Sequence, residues 1–134
     1  MLEVMIALVI MAIGLLGTIL LETTTVTGNA YSRELQAATI LAEDLLEQVK
    51  SMDYADPDLS GLPADNPHQN VELNGIANPI DESGNNGGFY TRSWQITDPG
   101  PIPNTKQIAV TVSWVIKGNN HSVTLSTVKH QNAP

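Results

Sequence analysis

The chemical group that stands apart near the N-terminus is the carboxylate of Glu3. It is the only charge in the first 21 residues, and the other nineteen charged side chains lie beyond them. The segment that follows, Val4 to Leu21, has eighteen residues and no charge. A carboxylate in lipid without a partner is costly. We therefore expect Glu3 either to pair with a cation or to lie at the level of lipid headgroups.

Two clusters of acidic and amide side chains could bind a cation. Calcium takes oxygen ligands in flexible loops, but neither cluster has the spacing of a defined ligand loop. We therefore expect solvated turn residues, no metal and no other cofactor. The first cluster is Asp53, Asp56 and Asp58, and the second is Asp81, Glu82, Asn85 and Asn86.

The three histidines do not form a catalytic arrangement in the sequence. No acid or nucleophile is spaced so as to orient His68, His121 or His130, and we expect all three at the surface. Asn120 and Ser122 flank His121 in a formal glycosylation acceptor, which we interpret as a chance match. Because no phosphate-binding glycine loop or paired catalytic carboxylates occur either, we expect no enzyme.

Composition excludes several classes of partner. The net charge of −8 and the pI near 4.5 would repel a nucleic acid. The absence of cysteine excludes disulfides and thiolate metal sites. The aromatic content of 4% predicts neither stacking platforms nor aromatic-lined pockets.

The segment Val4 to Leu21 has the length of a helix that crosses a membrane, about 17–25 residues. An acid precedes it and Glu22 follows it, whereas a cleaved signal peptide has a basic start and a small-residue cleavage site. We therefore predict a retained hydrophobic transmembrane helix over residues 1–28. Ala7, Gly14 and Gly17, together with Ala12, either allow close helix packing or reflect ordinary membrane-helix composition.

The remainder, residues 29–134, is predicted to be a globular head of α+β class. An amphipathic stripe at helical spacing runs from Leu35 to Met52 and predicts a helix over 29–53; the threonine-rich segment 22–28 before it is expected to bend or fray. Residues 54–88 read as a long variable loop that Val71, Leu73, Ile76 and Ile80 attach to the core. Alternation predicts a three-stranded antiparallel meander over 89–129 that packs on the helix. The predicted strands are Phe89–Thr97, Lys106–Ile116 and His121–Lys129.

The run Leu2-Glu3-Val4-Met5-Ile6-Ala7-Leu8 resembles the N-terminal signature of type IV pilins and type II secretion pseudopilins. Tyr90-Thr91-Arg92-Ser93-Trp94 and Val123-Thr-Leu-Ser-Thr-Val128 are similar to segments of PilV-type minor pilins, and the resemblance is closest over residues 1–50. The family pattern has two residues before its Leu-Leu-Glu, and here Met1 stands at the first leucine. The disulfide and the membrane-segment proline of many pilins do not occur.

This resemblance implies a pilin fold and a minor pilin that takes part in filament assembly, and thereby in adhesion, motility or DNA uptake. Glu3 would then pair with the N-terminal amine of a neighbouring subunit, and Ala7, Gly14 and Gly17 would pack in the filament core. The implied partners are other pilin subunits, the inner-membrane assembly machinery, the prepilin peptidase and membrane lipid. The implied location is the bacterial inner membrane, then an extracellular filament. The alternatives are a minor pseudopilin and a membrane-tethered binding module that does not polymerise.

Overall fold

The structure is a computed structural model that describes residues 2–59, 61, 66–69 and 75–131, with the side chains at 20, 23, 24 and 27 excepted. It confirms an α+β chain with a long N-terminal helix and a three-stranded antiparallel sheet. The elements are helix α1 (Leu2–Ser51), a short 3-10 helix (Pro57–Leu59), and strands β1 (Thr91–Thr97), β2 (Thr105–Ile116) and β3 (Asn119–His130). Two compact units are present, residues 1–34 and residues 35–134. The domain boundary that the sequence places after residue 28 stays a prediction.

Helix α1 continues through residues 22–28, so the expected frayed turn is wrong. Threonines lower helix propensity partly because their hydroxyls compete for backbone groups. Here the hydroxyl of Thr25 donates to the carbonyl oxygen of Leu21 at 2.9 Å, four residues earlier on the same helix. A hydroxyl that donates to a carbonyl of the preceding turn has its hydrogen-bond partner within the helix, so the helix need not unwind.

The sheet has the order β1-β2-β3, and both pairs are antiparallel. Strands β2 and β3 are joined by the two residues Lys117 and Gly118, both with positive φ (49° and 82°). This is the backbone of a type I′ hairpin turn, in which the second position favours glycine. All three strands begin and end within two residues of the sequence-based bounds, because the alternation marks them clearly.

The core lies between one face of α1 and the inner face of the sheet. The helix contributes Ala38, Ala42, Leu45 and Val49, all fully buried, as the amphipathic stripe predicts. Tyr90, just before β1, is also fully buried, and the inner face of the sheet has the buried residues Trp94, Ile96, Ile108, Val110, Val112 and Trp114. Full burial of a large apolar side chain contributes about 1.5–3 kcal/mol, so this interface is the main source of stability in residues 35–134.

Within the segment 54–88, described residues form main-chain hydrogen bonds with strand β1 and with the residue before it. Main-chain hydrogen bonds join Ile80 to Tyr90 in both directions, at 2.9 and 3.1 Å. A Cβ at Gly88 would lie 2.1 Å from the carbonyl oxygen of Ile80, so this approach requires glycine. Ile80 is buried and Ile76 packs against the core, which confirms both as attachment points. Val71 and Leu73 lie outside the described residues.

Candidate functional site

The apolar half of α1 is exposed along its length. The eighteen residues Leu2–Ile19 have a mean hydropathy of 2.4, and none of them is buried. Leu8, Met11 and Leu16 are 57–63% exposed, and such exposure is unfavourable in water. This one helix is long and apolar enough to cross a membrane, and its side chains are free to contact lipid or other protein.

Four of the five residues that the sequence singles out on this helix lie on a single face. Since an α-helix turns by about 100° per residue, Glu3, Ala7, Gly14 and Gly17 fall within about 80° of one another. Ala12, also singled out, is on the opposite side of the helix. The carboxylate and the small residues therefore form one strip, which we call the Glu3 face.

The small residues leave the Glu3 face open. A Cβ placed at Gly14 or Gly17 would meet no atom within 4 Å, and Ala7 is exposed. At Gly14 and Gly17 the helix backbone is accessible to a neighbouring helix, and close backbone approach is how membrane helices associate. The face therefore combines a contact surface for a helix with a carboxylate at one end.

Glu3 is exposed and lies in the first turn of α1. The positive end of the helix dipole stabilises a carboxylate at this position. Within the described part of the chain no cation forms an ion pair with Glu3. Its carboxylate oxygens are thus accessible to a cationic group of another molecule.

Two buried lysines of the sheet, which sequence reasoning missed, form hydrogen bonds with the end of α1 and with the residues that follow it. The Lys129 ammonium donates to the carbonyl oxygens of Lys50 and Met52 at 2.6 and 2.7 Å. The Lys106 ammonium donates to the carbonyl oxygens of Tyr54 and Leu59, both at 3.0 Å. A lysine close to the end of a helix can satisfy its last carbonyl groups. Because these partners are distant in sequence, no local pattern identifies them.

Arg92 plays a comparable part on β1. One of its guanidinium nitrogens donates to the carbonyl oxygen of Ile76 at 2.8 Å, and the side chain is buried. Burial lowers the pKa of Arg92, while the negative charge of Asp44 acts in the opposite direction. The residue is structural, since it holds the loop before β1 against the sheet.

The acidic clusters stabilise their own turns. The carboxylate of Asp81 accepts main-chain hydrogen bonds from Ser83 and Asn85, both at 2.9 Å. The bond from Asn85 is the main cause that lowers the pKa of Asp81. Asp53 and Asp56 accept similar bonds from residues two positions later. No group of three His, Asp or Glu side chains suited to a metal ion occurs among the described residues.

The expectation that all three histidines are at the surface is wrong for His68. This side chain is 3% exposed, and its ring stacks on Trp94 with centroids 5.1 Å apart. Main-chain hydrogen bonds also join the two residues. His121 is half-buried against Trp114, and His130 is exposed. The loop around His68 has no periodicity, so its sequence contains no signal of this burial.

The low aromatic content led to a second incorrect expectation, because several of the few aromatic residues lie close together. Phe89 stacks on Tyr90 at 4.4 Å and Tyr90 is tilted against Trp114 at 6.1 Å. Phe89, Trp114 and His121 line a shallow groove at this end of the sheet. The expectation of no aromatic-lined pocket is therefore wrong. Composition limits the number of aromatic rings and not their distribution.

Comparisons of the chain with protein-family models, with curated proteins and with solved structures find no match.

Proposed function

We propose that this chain is a structural subunit of a type IV pilus-like filament, of the minor-pilin kind. The observation that carries the proposal is the Glu3 face, where one carboxylate and three small residues share one side of an exposed apolar helix. A helix that merely anchors a protein in lipid needs neither the carboxylate nor their alignment.

The chemistry of the face accounts for assembly. In the bacterial inner membrane the apolar helix spans the lipid, with Glu3 at one end of the span. On assembly, the helix exchanges lipid for the helices of neighbouring subunits. Glu3 then pairs with the N-terminal amine of a neighbour, and an unpaired carboxylate in the apolar interior would be strongly unfavourable. The pairing therefore fixes how far one helix is displaced along the next.

The head supports the proposal by its architecture. A helix that packs on an antiparallel meander through its C-terminal half is consistent with a pilin fold. In the filament the head would face outward, and its long loop before β1 would provide a variable surface. Such a subunit would help to start or modify a pilus and would thereby serve adhesion, motility or DNA uptake.

Two related functions share much of this argument. A minor pseudopilin of a type II secretion system would use the same helix and the same carboxylate. A membrane-tethered binding module that does not polymerise would use the helix alone. The tether predicts that Glu3 has no role, and this distinguishes it from both filament proteins.

The test is substitution of Glu3 in cells that carry the complete filament-assembly machinery. We expect Glu3→Ala to lower the amount of the chain in sheared filaments roughly tenfold or more, since an ion pair in an apolar interior is lost. The amount in the membrane fraction should be unchanged. Immunoblots of the sheared and membrane fractions measure both quantities.

Glu22→Ala is the matched control, because Glu22 is another exposed acid of α1 at the far end of the apolar segment. It should enter filaments like the wild type. If Glu3→Ala enters filaments as efficiently as Glu22→Ala, or if the wild-type chain never leaves the membrane, the filament proposal is wrong and the tether is favoured.

A further inference from the structure

Strand β3 lies at one edge of the sheet that the described strands form. It pairs with β2 on one side, and no other described residue pairs with it as a strand on the other side. In the hairpin, Ile116 and Asn119 lie opposite each other beside the two-residue turn and form a hydrogen-bonded pair. Hydrogen-bonded and non-hydrogen-bonded pairs alternate along antiparallel strands, so every second residue of β3, counted from Asn119, bonds to β2. The main-chain N–H and C=O groups of Ser122, Thr124, Ser126 and Val128 consequently point away from β2.

This edge lacks the features by which proteins usually prevent strand addition. Protected edges are short, are interrupted by bulges or proline, or carry charged side chains. Strand β3 has twelve residues, no proline and an unbroken one-to-one register with β2. Its only Lys, Arg, Asp or Glu is Lys129, whose ammonium is directed to the carbonyl oxygens at the end of α1. Within the described residues this edge of β3 is therefore unpaired and has no proline, bulge or outward-directed charge that would prevent pairing with another strand.

The inner face of β3 is also incompletely covered. On β2, Val110 and Val112 are fully buried, whereas Val123 and Leu125 opposite them on β3 are only half-buried. Both side chains pack against the core on one side. A further strand beside β3 would cover the other side, so main-chain pairing and apolar burial favour the same contact.

We propose that β3 pairs antiparallel with β3 of a second copy of this chain, which joins the two three-stranded sheets into one. The charge distribution favours a second copy. The chain has a net charge of −8, but β3 carries no acidic residue, so two copies meet where their mutual repulsion is weak.

One register satisfies the two strands best. When Thr124 of one copy exchanges main-chain hydrogen bonds with Ser126 of the other, Leu125 lies opposite the same residue of the second copy. Val123 is then diagonal to that leucine on the same face, within reach of it. The half-covered apolar side chains of both copies thus come together at the centre of the contact.

This contact does not depend on the filament proposal. A two-fold contact closes at two copies, so it describes the subunit outside a filament. Glu3→Ala should leave the dimer unchanged, whereas edge variants should not need the assembly machinery to show their effect. Failure of either proposal is therefore recognised separately.

The first test measures the dimer dissociation constant of the full-length protein in detergent micelles by analytical ultracentrifugation. Ser126→Pro removes an N–H group that points outward, and Ser126→Lys keeps that group but adds a charge at the edge. We expect each to weaken the dimer roughly tenfold or more. Ser126→Ala is the matched control and should dimerise like the wild type.

Thermal unfolding of each variant checks that the head is intact, and Ser126→Lys decides the matter if Ser126→Pro does not fold. A wild-type protein that stays monomeric over the concentration range overturns the proposal. A dimer that Ser126→Lys leaves as tight as the wild type also overturns it, since the contact would then lie elsewhere.

The second test examines the register by cross-linking, since no cysteine is present. Opposite residues without mutual hydrogen bonds in an antiparallel pair have Cα atoms about 4.5 Å apart, within the range of a disulfide. Leu125→Cys should therefore form a dimer on oxidation. Val123→Cys should not, because the two cysteines would be about 14 Å apart along the strands. Equal cross-linking of both variants would contradict this register.

Discussion

At the scale of single residues, half of the basic side chains of this acidic chain are used to satisfy main-chain carbonyl groups. Arg92, Lys106 and Lys129 are the buried members of six Lys and Arg residues. A buried charge is unfavourable unless it is hydrogen-bonded, and each of these donates to carbonyl oxygens of α1 or of the loops. They fasten the irregular segments to a regular sheet.

Lys129→Met tests this role, because it keeps most of the aliphatic volume and removes the donors. We expect the free energy of unfolding to fall by about 1–3 kcal/mol, since the carbonyl oxygens of Lys50 and Met52 lose their partner. Urea unfolding measures the loss. Lys117→Met, in the exposed hairpin turn, should change stability by less than about 0.5 kcal/mol. Similar losses in both variants would show that the capping bonds contribute little.

At the scale of elements, helix α1 has two different faces in its two halves. In the C-terminal half the apolar face packs on the sheet of its own chain. In the N-terminal half none of the residues Leu2–Ile19 is buried, and Ala7, Gly14 and Gly17 lie on the side of Glu3. We infer that the first face stabilises the fold and that the second contacts a neighbouring subunit.

Substitution on opposite sides of the helix distinguishes packing from simple apolarity. Gly14→Leu and Ala12→Leu both add an apolar side chain to the membrane-length segment, but only the first lies on the Glu3 face. We expect Gly14→Leu to reduce incorporation into sheared filaments roughly tenfold, because close helix approach is blocked. Ala12→Leu should have little effect, and both should insert into the membrane normally. If the two variants are equally impaired, the Glu3 face has no special role.

At the scale of the whole molecule, the chain consists of an exposed apolar segment and a head that contains its own core. Every buried residue that the structure describes lies between Ala38 and Lys129. No described residue of the first unit, residues 1–34, is a member of that core. Folding of the head and insertion of the helix are therefore separable properties.

A chain that starts at Asn29 should consequently stay folded without detergent. We expect it to be soluble and to unfold cooperatively, with a midpoint within a few degrees of the full-length protein in micelles, since the whole core is retained. The full-length chain should require detergent or lipid. Circular dichroism on heating measures both midpoints. A truncated chain that aggregates or melts without a sharp transition would mean that residues 1–28 stabilise the head.

The sequence by itself determined those features that depend on local pattern. The lone acid beside an uncharged segment, the helical stripe up to Val49 and the alternation of β1 and β2 are each contained within a few neighbouring residues. Their periods of 3.6 and 2 follow from backbone geometry. The helix, the three strands and their buried faces could therefore be predicted, and the alignment of Glu3, Ala7, Gly14 and Gly17 follows once the helix is accepted.

Only the tertiary structure determined the features that depend on contacts between residues far apart in the sequence. Lys129 and the Lys50 carbonyl are 79 residues apart, and His68 is buried by a tryptophan of β1. Strand β3 lies at an edge of the described sheet because of the order of the strands, and the composition of β3 does not reveal this position. Local periodicity indicates which face of an element is apolar. Only the folded chain determines which distant group accepts a hydrogen bond from a buried donor, and which strand lies at the edge of the sheet.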